Sequence, residues 1–330
     1  MKKALIGVII SILTIAVIFR LTETNVTWQV IFQANLFFLS IAFLLHVFFW
    51  FFWAIRLKSL ADSLGQPISL GYALEVSIAS TFLAAITPSS AGGEPLRIKM
   101  LHDAGVSVGS ATAVVLAERL LDAIFFIAAL PVFLLLTGFS TKLGIEIGLL
   151  FALCLFGFII FLYLLLKRPE RLDSFTSWLV RFIARFSRER AEKAGEKIRA
   201  ELMRFREALI SLAKNSYRKI ASIMVITSCI WFSEFLVPSA ILAAFGCDPE
   251  LLLSLTSQLI LVIISLVPLT PGASGIAEVG MSYLYSKFVP QHIIGVLTGV
   301  WRFITYFLNL IVGFVVNVKL LKSKYIDQKY

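Results

Sequence analysis

The stretch Ile86-Thr-Pro-Ser-Ser-Ala-Gly-Gly-Glu94 decides how this chain is read, because it returns as Leu269-Thr-Pro-Gly-Ala-Ser-Gly-Ile-Ala-Glu278. Thr87, Pro88 and Gly92 each have a counterpart 183 positions on, at Thr270, Pro271 and Gly275. Glu94 and Glu278 align after one inserted residue, and Arg119 and Arg302 again stand 183 apart. Upstream, Glu75 falls opposite Gln258 at the same spacing. Long-period duplication outranks local structure in choosing a fold. Shared Pro and Gly alone would be weak, since both are frequent in membrane helices; the matched arginines strengthen the case.

Composition sets the class. The chain has 330 residues, 59% of them hydrophobic and 15% charged, with a mean hydropathy of +0.90, where an average soluble domain is about one-quarter charged. Several apolar runs approach or exceed the roughly 20 residues that cross a bilayer as helix. The expectation is an all-α polytopic membrane protein. Its start, Met1-Lys-Lys followed by Ala4–Phe19, lacks a small-x-small cleavage pattern before Arg20 and is expected to stay as a first helix. Cys154, Cys229 and Cys247 are scattered, without metal-ligand spacing. The +10 charge does not signal a nucleic-acid partner, because in such a chain the location of charge matters more than its sum.

Spans are expected at Ala4–Phe19, Val30–Ile55 (stopped by Arg56 and Lys58), Ser107–Leu136, Ile145–Leu166, Ile220–Phe245 (interrupted by Pro238) and Ile293–Val318. Leu70–Ile86 and Leu251–Leu266 break at the quoted motifs, and the segments after them, Glu94–Leu101 and Ile276–Tyr285, are too short to span. Both are read as re-entrant hairpins, 70–102 and 250–286. Residues 1–166 then form a first membrane repeat and 220–330 a second. Between them, 167–219 is a basic linker with an amphipathic stretch at Leu172, Phe175, Leu179, Phe182 and Phe186 suited to a lipid surface. A second helical period follows from Ala191 to Leu212, expected to pack back on its neighbour.

Charge supports this topology. Of 30 Lys and Arg, 25 fall on one side, and only Arg20, Lys142 and Lys287 on the other. The positive-inside rule makes the rich side cytoplasmic, with both termini there, in a cytoplasmic (cell) membrane. The count leaves Arg119 and Arg302 within the membrane, the pair already matched by the repeat. The hairpins then enter from opposite sides, so the repeats are inverted, an arrangement with broken helices that marks transporters.

Non-helical backbone at membrane depth must be shielded by protein or line a wet cavity. Pro88, Ser89, Ser90, Gly92, Gly93 and Pro271, Gly272, Ser274, Gly275 are therefore expected to face one another or a shared cavity. The helix starting near Glu94 would turn free N–H groups toward an anion there. A guanidinium binds phosphate bidentately, which suits Arg119 and Arg302 to an anionic headgroup. Glu94 and Glu278 are candidates for gating or proton coupling, with Glu234, on the helix broken by Pro238, a further one. Glu118 and Asp122 share a face beside Arg119. Either they take part in the same role or they form a salt-bridge cluster that fixes helix packing. No nucleotide, sugar-nucleotide, acyltransferase or hydrolase motif is found, and no cofactor or metal is expected.

These features together resemble the transmembrane region of the lysylphosphatidylglycerol synthase family, also called flippase-like. The carriers are Pro88–Glu94, Glu118-Arg119 in Val-Leu-Ala-Glu-Arg-Leu-Leu-Asp, Pro271–Glu278 and Trp301-Arg302. The resemblance covers about residues 1–320 and implies movement of a lipid with a phosphate-bearing head, a phospholipid or a polyprenyl phosphate. It does not imply the synthase reaction, which in the family belongs to a separate soluble domain. The alternatives are a membrane-embedded transferase acting on such a lipid, and a non-transporting partner subunit with the basic linker as docking arm.

Overall fold

The computed structural model describes residues 2–87, 92–138, 146, 149, 153, 155–160, 188–266 and 270–327. The amphipathic stretch Leu172–Phe186 and most of the expected span Ile145–Leu166 lie outside them. Among the described residues the secondary structure is helical throughout. In chain order the helices are α1 (Lys2–Thr22), α2 (Asn25–Phe32), α3 (Leu36–Ser63), α4 (Leu70–Ala85), α5 (Gly93–Asp103), α6 (Val108–Thr137) and α7 (Arg188–Ala213). Next come α8 (Tyr217–Phe235), α9 (Val237–Ala244), α10 (Leu251–Ser265), α11 (Ile276–Tyr285), α12 (Gln291–Arg302), a π turn (Phe303–Phe307) and α13 (Leu308–Asp327). Side chains of Asn35, Ser69, Ser107 and Ser216 accept backbone N–H groups at the starts of α3, α4, α6 and α8, satisfying donors the first helical turn leaves free.

Among the described residues, four stretches are long and apolar enough to cross a membrane: Leu36–Ser63, Val108–Thr137, Tyr217–Ala244 and Gln291–Lys322. In α1 the apolar part is Val8–Thr22. The chain is an all-helical polytopic membrane protein. The start of the second expected span is corrected: residues 25–32 form the separate helix α2, and α3 begins at Leu36 and runs past Arg56 to Ser63. Leu57, Leu60, Ala61 and Leu64 recur at helical spacing and pack inward, so the apolar face outlasts the charges that read as a stop.

Helices α4 and α10, of 16 and 15 residues, rise only about 22–24 Å, short of the roughly 30 Å hydrocarbon core. Each packs against the short helix that follows it. At the open end of the first pair, the Tyr72 hydroxyl donates to the Met100 carbonyl at 2.6 Å. In the second, Ser254 and Tyr285 hydroxyls meet at 2.6 Å. Both pairs are antiparallel hairpins that return to the side they start from.

The order long helix, half helix, half helix, long helix thus occurs twice. The starts of α5 and α11 (93 and 276) and of α6 and α12 (108 and 291) are each 183 residues apart. Helix α3 and the pair α8–α9 occupy the remaining matched position, and they run antiparallel: Asn35 N–H donates to Ala244 O at 2.8 Å, His46 meets Glu234, and Leu57 and Leu60 share a cluster with Ile223. Since α4 follows α3 and α10 follows α9, the two hairpins open at opposite ends of this helix pair. Helix α4 lies along α13 and the π turn before it, from Lys319–Glu75 at 2.9 Å to the Tyr306 hydroxyl on Ala85 O at 3.2 Å. The matching helix α10 lies along α6.

Helix α7 packs across the start of α6, as the helical period from Ala191 to Leu212 leads one to expect. Glu201 accepts the Gly109 N–H at 2.6 Å, and Ala113, Ala208 and Leu209 form a small cluster. A Cβ on Gly109 would lie 2.2 Å from the Glu201 carbonyl oxygen, so glycine sets the closeness of this approach.

Candidate functional site

The tips of the two hairpins meet. Gly272 N–H donates to Thr87 O at 3.2 Å. Gly272 has φ +57°, and a Cβ there would sit 2.6 Å from Ala85 O, so both the conformation and the contact require glycine. Beside this junction is a cavity of about 350 Å³. Its walls bring together Gly93, Glu94, Arg119, Glu234, Gly272 and Arg302. The sequence singles out each of these, from segments far apart in the chain. Pro88, Ser89 and Ser90 lie outside the described residues. Gly92 and Ser274 stand back from the cavity. Gly92 donates its N–H to Thr87 Oγ1 at 2.8 Å, and Ser274 is fully buried near Arg302. Gly275 turns toward Ile10 and Thr14 of α1, and Pro271 does not line the cavity.

The two matched arginines make matched pairs, Arg119 with Glu94 and Arg302 with Glu278, but in different settings. Arg302 and Glu278 are buried and joined at 2.8 Å. Glu278 also accepts from Ser11 and from Gly275 N–H at 2.6 Å. The Arg302 guanidinium donates to Gly272 O at 2.8 Å and lies 4.0 Å from the Tyr306 ring centroid. Its charge is neutralised by Glu278, and its Nε and Nη2 donors are engaged. Arg119 is 38% exposed, Glu94 46%, and they are 3.5 Å apart. Of the two arginines, Arg119 is the one whose charge remains open to the cavity.

Behind Arg119 sits a cluster that the charge count misplaces. Arg56 and Arg97 count as cytoplasmic by sequence, yet their side chains are only 1% and 2% exposed. Arg56 binds Asp122 at 2.6 Å and approaches Glu118 at 3.4 Å. Arg97 binds Glu118 at 2.7 Å and Ser80 at 2.9 Å. Trp53 and Trp231 indole N–H groups donate to Glu118 at 3.0 Å and Asp122 at 2.8 Å. Two cations and two carboxylates, nearly all their valences met, make a neutral buried network of the kind that tolerates burial. Glu118 and Asp122 therefore serve Arg56 and Arg97 first; Arg119 reaches Asp122 only at 3.4 Å. Inward-facing carboxylates, not proximity to a helix end, decide where Arg56 and Arg97 point.

Sequence reasoning also passes over His46, which reads as a packed or interfacial residue. Its Nδ1 lies 2.7 Å from Glu234 Oε2. The apolar walls come from Phe49, Trp53, Trp231, Leu261, Val262 and Trp301. Among the described residues no group of three or more His, Cys, Asp or Glu is placed to hold a metal.

A helical membrane protein with a cavity at the meeting of two half-helix hairpins is the class this geometry defines. The family model for the lysylphosphatidylglycerol synthase TM region matches residues 4–313, and the chain belongs to that family. A UPF0104 membrane protein of Archaeoglobus fulgidus is 49% identical over 98% of this chain and 99% of its own length. A UPF0104 membrane protein of Pyrococcus horikoshii is 25% identical over 97% of both chains, and one of Methanothermobacter thermautotrophicus is 26% identical over 71% of this chain and 69% of its own.

Proposed function

We propose that this protein moves an anionic, phosphate-bearing lipid headgroup across the cell membrane through the cavity between its hairpin tips, without enzymatic chemistry. The observation that carries the reading is Arg119, a guanidinium at the membrane interior whose charge faces a cavity instead of being fully consumed by partners. A charge held there needs a paired or hydrated setting and marks a substrate path, and a guanidinium suits phosphate. The volume is at the low end of small-molecule pockets, about 300–1,000 Å³, which fits a headgroup while acyl chains stay in the bilayer. Glu94, exposed opposite Arg119, acts as the gate that a headgroup displaces. The matched, antiparallel elements support an inverted repeat, whose alternating access would open the cavity to either side. The end that carries α7, the α4–α5 opening and the end of α13 holds most of the basic residues, and the positive-inside rule makes it cytoplasmic.

The test is purified protein in liposomes containing headgroup-labelled phosphatidylglycerol, with no nucleotide, and a membrane-impermeant quencher added outside. Wild type is expected to expose inner-leaflet label at a rate well above empty liposomes. Arg119→Gln should slow this about tenfold to a hundredfold, the loss of one charge-assisted interaction of about 1.5–3 kcal/mol. Equal rates with and without protein would end the transport reading.

A further inference from the structure

The geometry points to a proton-binding site in the cavity wall, Glu234 of α8 positioned by His46 of α3, which takes up one proton as an anionic headgroup binds. The inference rests on the lipid reading above and supplies its coupling ion.

Among the described residues, every other carboxylate in the cavity wall or packed behind it has an arginine. Glu118 and Asp122 hold Arg97 and Arg56, Glu278 holds Arg302, and Glu94 faces Arg119. Among the described residues, the ion-pair partner of Glu234 is His46. His46 is fully buried, set between Phe49, stacked at 5.5 Å, and Trp50 at 4.9 Å. Its Nε2 is buried without a hydrogen-bond partner. Glu234 keeps 15% of its side chain exposed and lines the cavity. The carboxylate is thus reachable from the cavity, and the imidazole sits behind it.

The orphan Nε2 indicates which protons are present. A doubly protonated ring would bury a charged N–H with no acceptor, a large cost. A neutral ring that donates Nδ1–H to Oε2 leaves only a lone pair in the apolar wall. The pair then carries one negative charge. An added proton goes to the carboxylate oxygen not bonded to His46, converting the carboxylate to a carboxylic acid, while the imidazole keeps its proton and its bond.

The surrounding charges do not supply a substitute. Around the cavity, α3 contributes Arg56 besides His46; α5 contributes Glu94 and Arg97; α6 contributes Glu118, Arg119 and Asp122; α11 and α12 contribute Glu278 and Arg302. The π turn adds Tyr306 and α13 adds Asn309, which accepts from Trp50. Helices α9 and α10 carry no ionisable residue. On α4, Glu75 pairs with Lys319, and α7 meets α3 near Leu64, at the far end from His46. An anion on Arg119 therefore shares the cavity with one arginine-free carboxylate, and their repulsion in low dielectric is relieved by protonation. Anion and proton then favour each other's binding, and the coupling is reciprocal.

Full-length protein in detergent is titrated with short-chain phosphatidylglycerol and, separately, with inorganic phosphate, from mildly acidic to mildly alkaline pH, following tryptophan fluorescence. Wild-type affinity for phosphatidylglycerol should weaken as pH rises, by up to about tenfold per pH unit for one linked proton. Glu234→Gln should bind with a flat profile. His46→Gln, which spares the carboxylate, should keep a sloped profile with its midpoint moved. A flat wild-type profile overturns the proton site but leaves the lipid reading intact, and that outcome does not depend on whether Glu234→Gln folds. A flat His46→Gln profile beside a sloped Glu234→Gln profile overturns the assignment to Glu234. Sloped binding of phosphate alone, beyond the slope that phosphate's own second ionisation gives and lost in Glu234→Gln, supports the site for a free anion, and no binding of either probe at any pH overturns both readings.

Discussion

Arg119 and Arg302 look interchangeable in the sequence, each with a glutamate at the start of the preceding half helix, yet their surroundings give them different work. Arg302 ties α12 to the second hairpin through Glu278 and Gly272, and Ser11 joins α1 to the same knot. Removing it strands a buried carboxylate, which costs about 3–5 kcal/mol. Arg302→Gln is therefore expected to lower the melting temperature of lipid-free protein markedly, whereas Arg119→Gln melts near wild type and loses the rise that anionic lipid gives. Equal melting losses in both variants would mean that Arg119 is structural too. The candidate site was legible where chemistry is rare in a membrane: an arginine or a Pro-Gly break inside an apolar run stands out. It was not legible at Arg56 and Arg97, since a cation beside the end of an apolar run reads as a solvated stop, and only the fold shows Asp122 and Glu118 facing it.

At the scale of elements, the half helices are fixed by length and by punctuation. Ile276–Tyr285 has the same bounds in the sequence reading and in the structure, because Gly275 and Ser286 flank a short apolar run. The start of α3 was missed because two polar residues, Gln33 and Asn35, were read as lying within an apolar span, whereas Asn35 caps a new helix. Helix α7 is held differently, by a polar cap and a small-residue contact at Gly109. Gly109→Val would push its side chain into the backbone of Glu201 and Phe205 and should release α7 from α6. With Ala113→Cys and Ala208→Cys introduced together, a short thiol crosslinker should bridge the two helices in the Gly109 background and fail in Gly109→Val. Undiminished crosslinking would show that α7 is retained by other contacts.

For the whole molecule, the two hairpins open at opposite ends of the α3 and α8–α9 pair. The end with Tyr72, Met100 and Gly109 also carries α7, and the end with Tyr285 and the start of α12 carries the turn of α1 into α2. A single cysteine at Ser286 is expected to react with an impermeant thiol reagent in intact cells, and one at Ser211 of α7 only after permeabilisation. Reaction at both positions in intact cells would refute opposed openings. The 183-residue spacing was visible in the sequence because few residue types can serve at a break or as a buried charge. The antiparallel run of α3 against α8–α9 was not, since apart from a few polar links such as His46–Glu234 their contacts are apolar packing that many sequences satisfy. Where the hairpin tips meet, the direct bond is main chain on both sides, Gly272 N–H to Thr87 O, while the carbonyls of Ala85 and Gly272 accept from the Tyr306 hydroxyl and the Arg302 guanidinium. The direct bond is blind to side-chain chemistry and sensitive to bulk at Gly272, whereas the flanking ones depend on Arg302 and Tyr306. Substitutions elsewhere in the cavity wall, away from Arg302 and Tyr306, can thus change its charge and shape without breaking the bond that fastens one tip to the other.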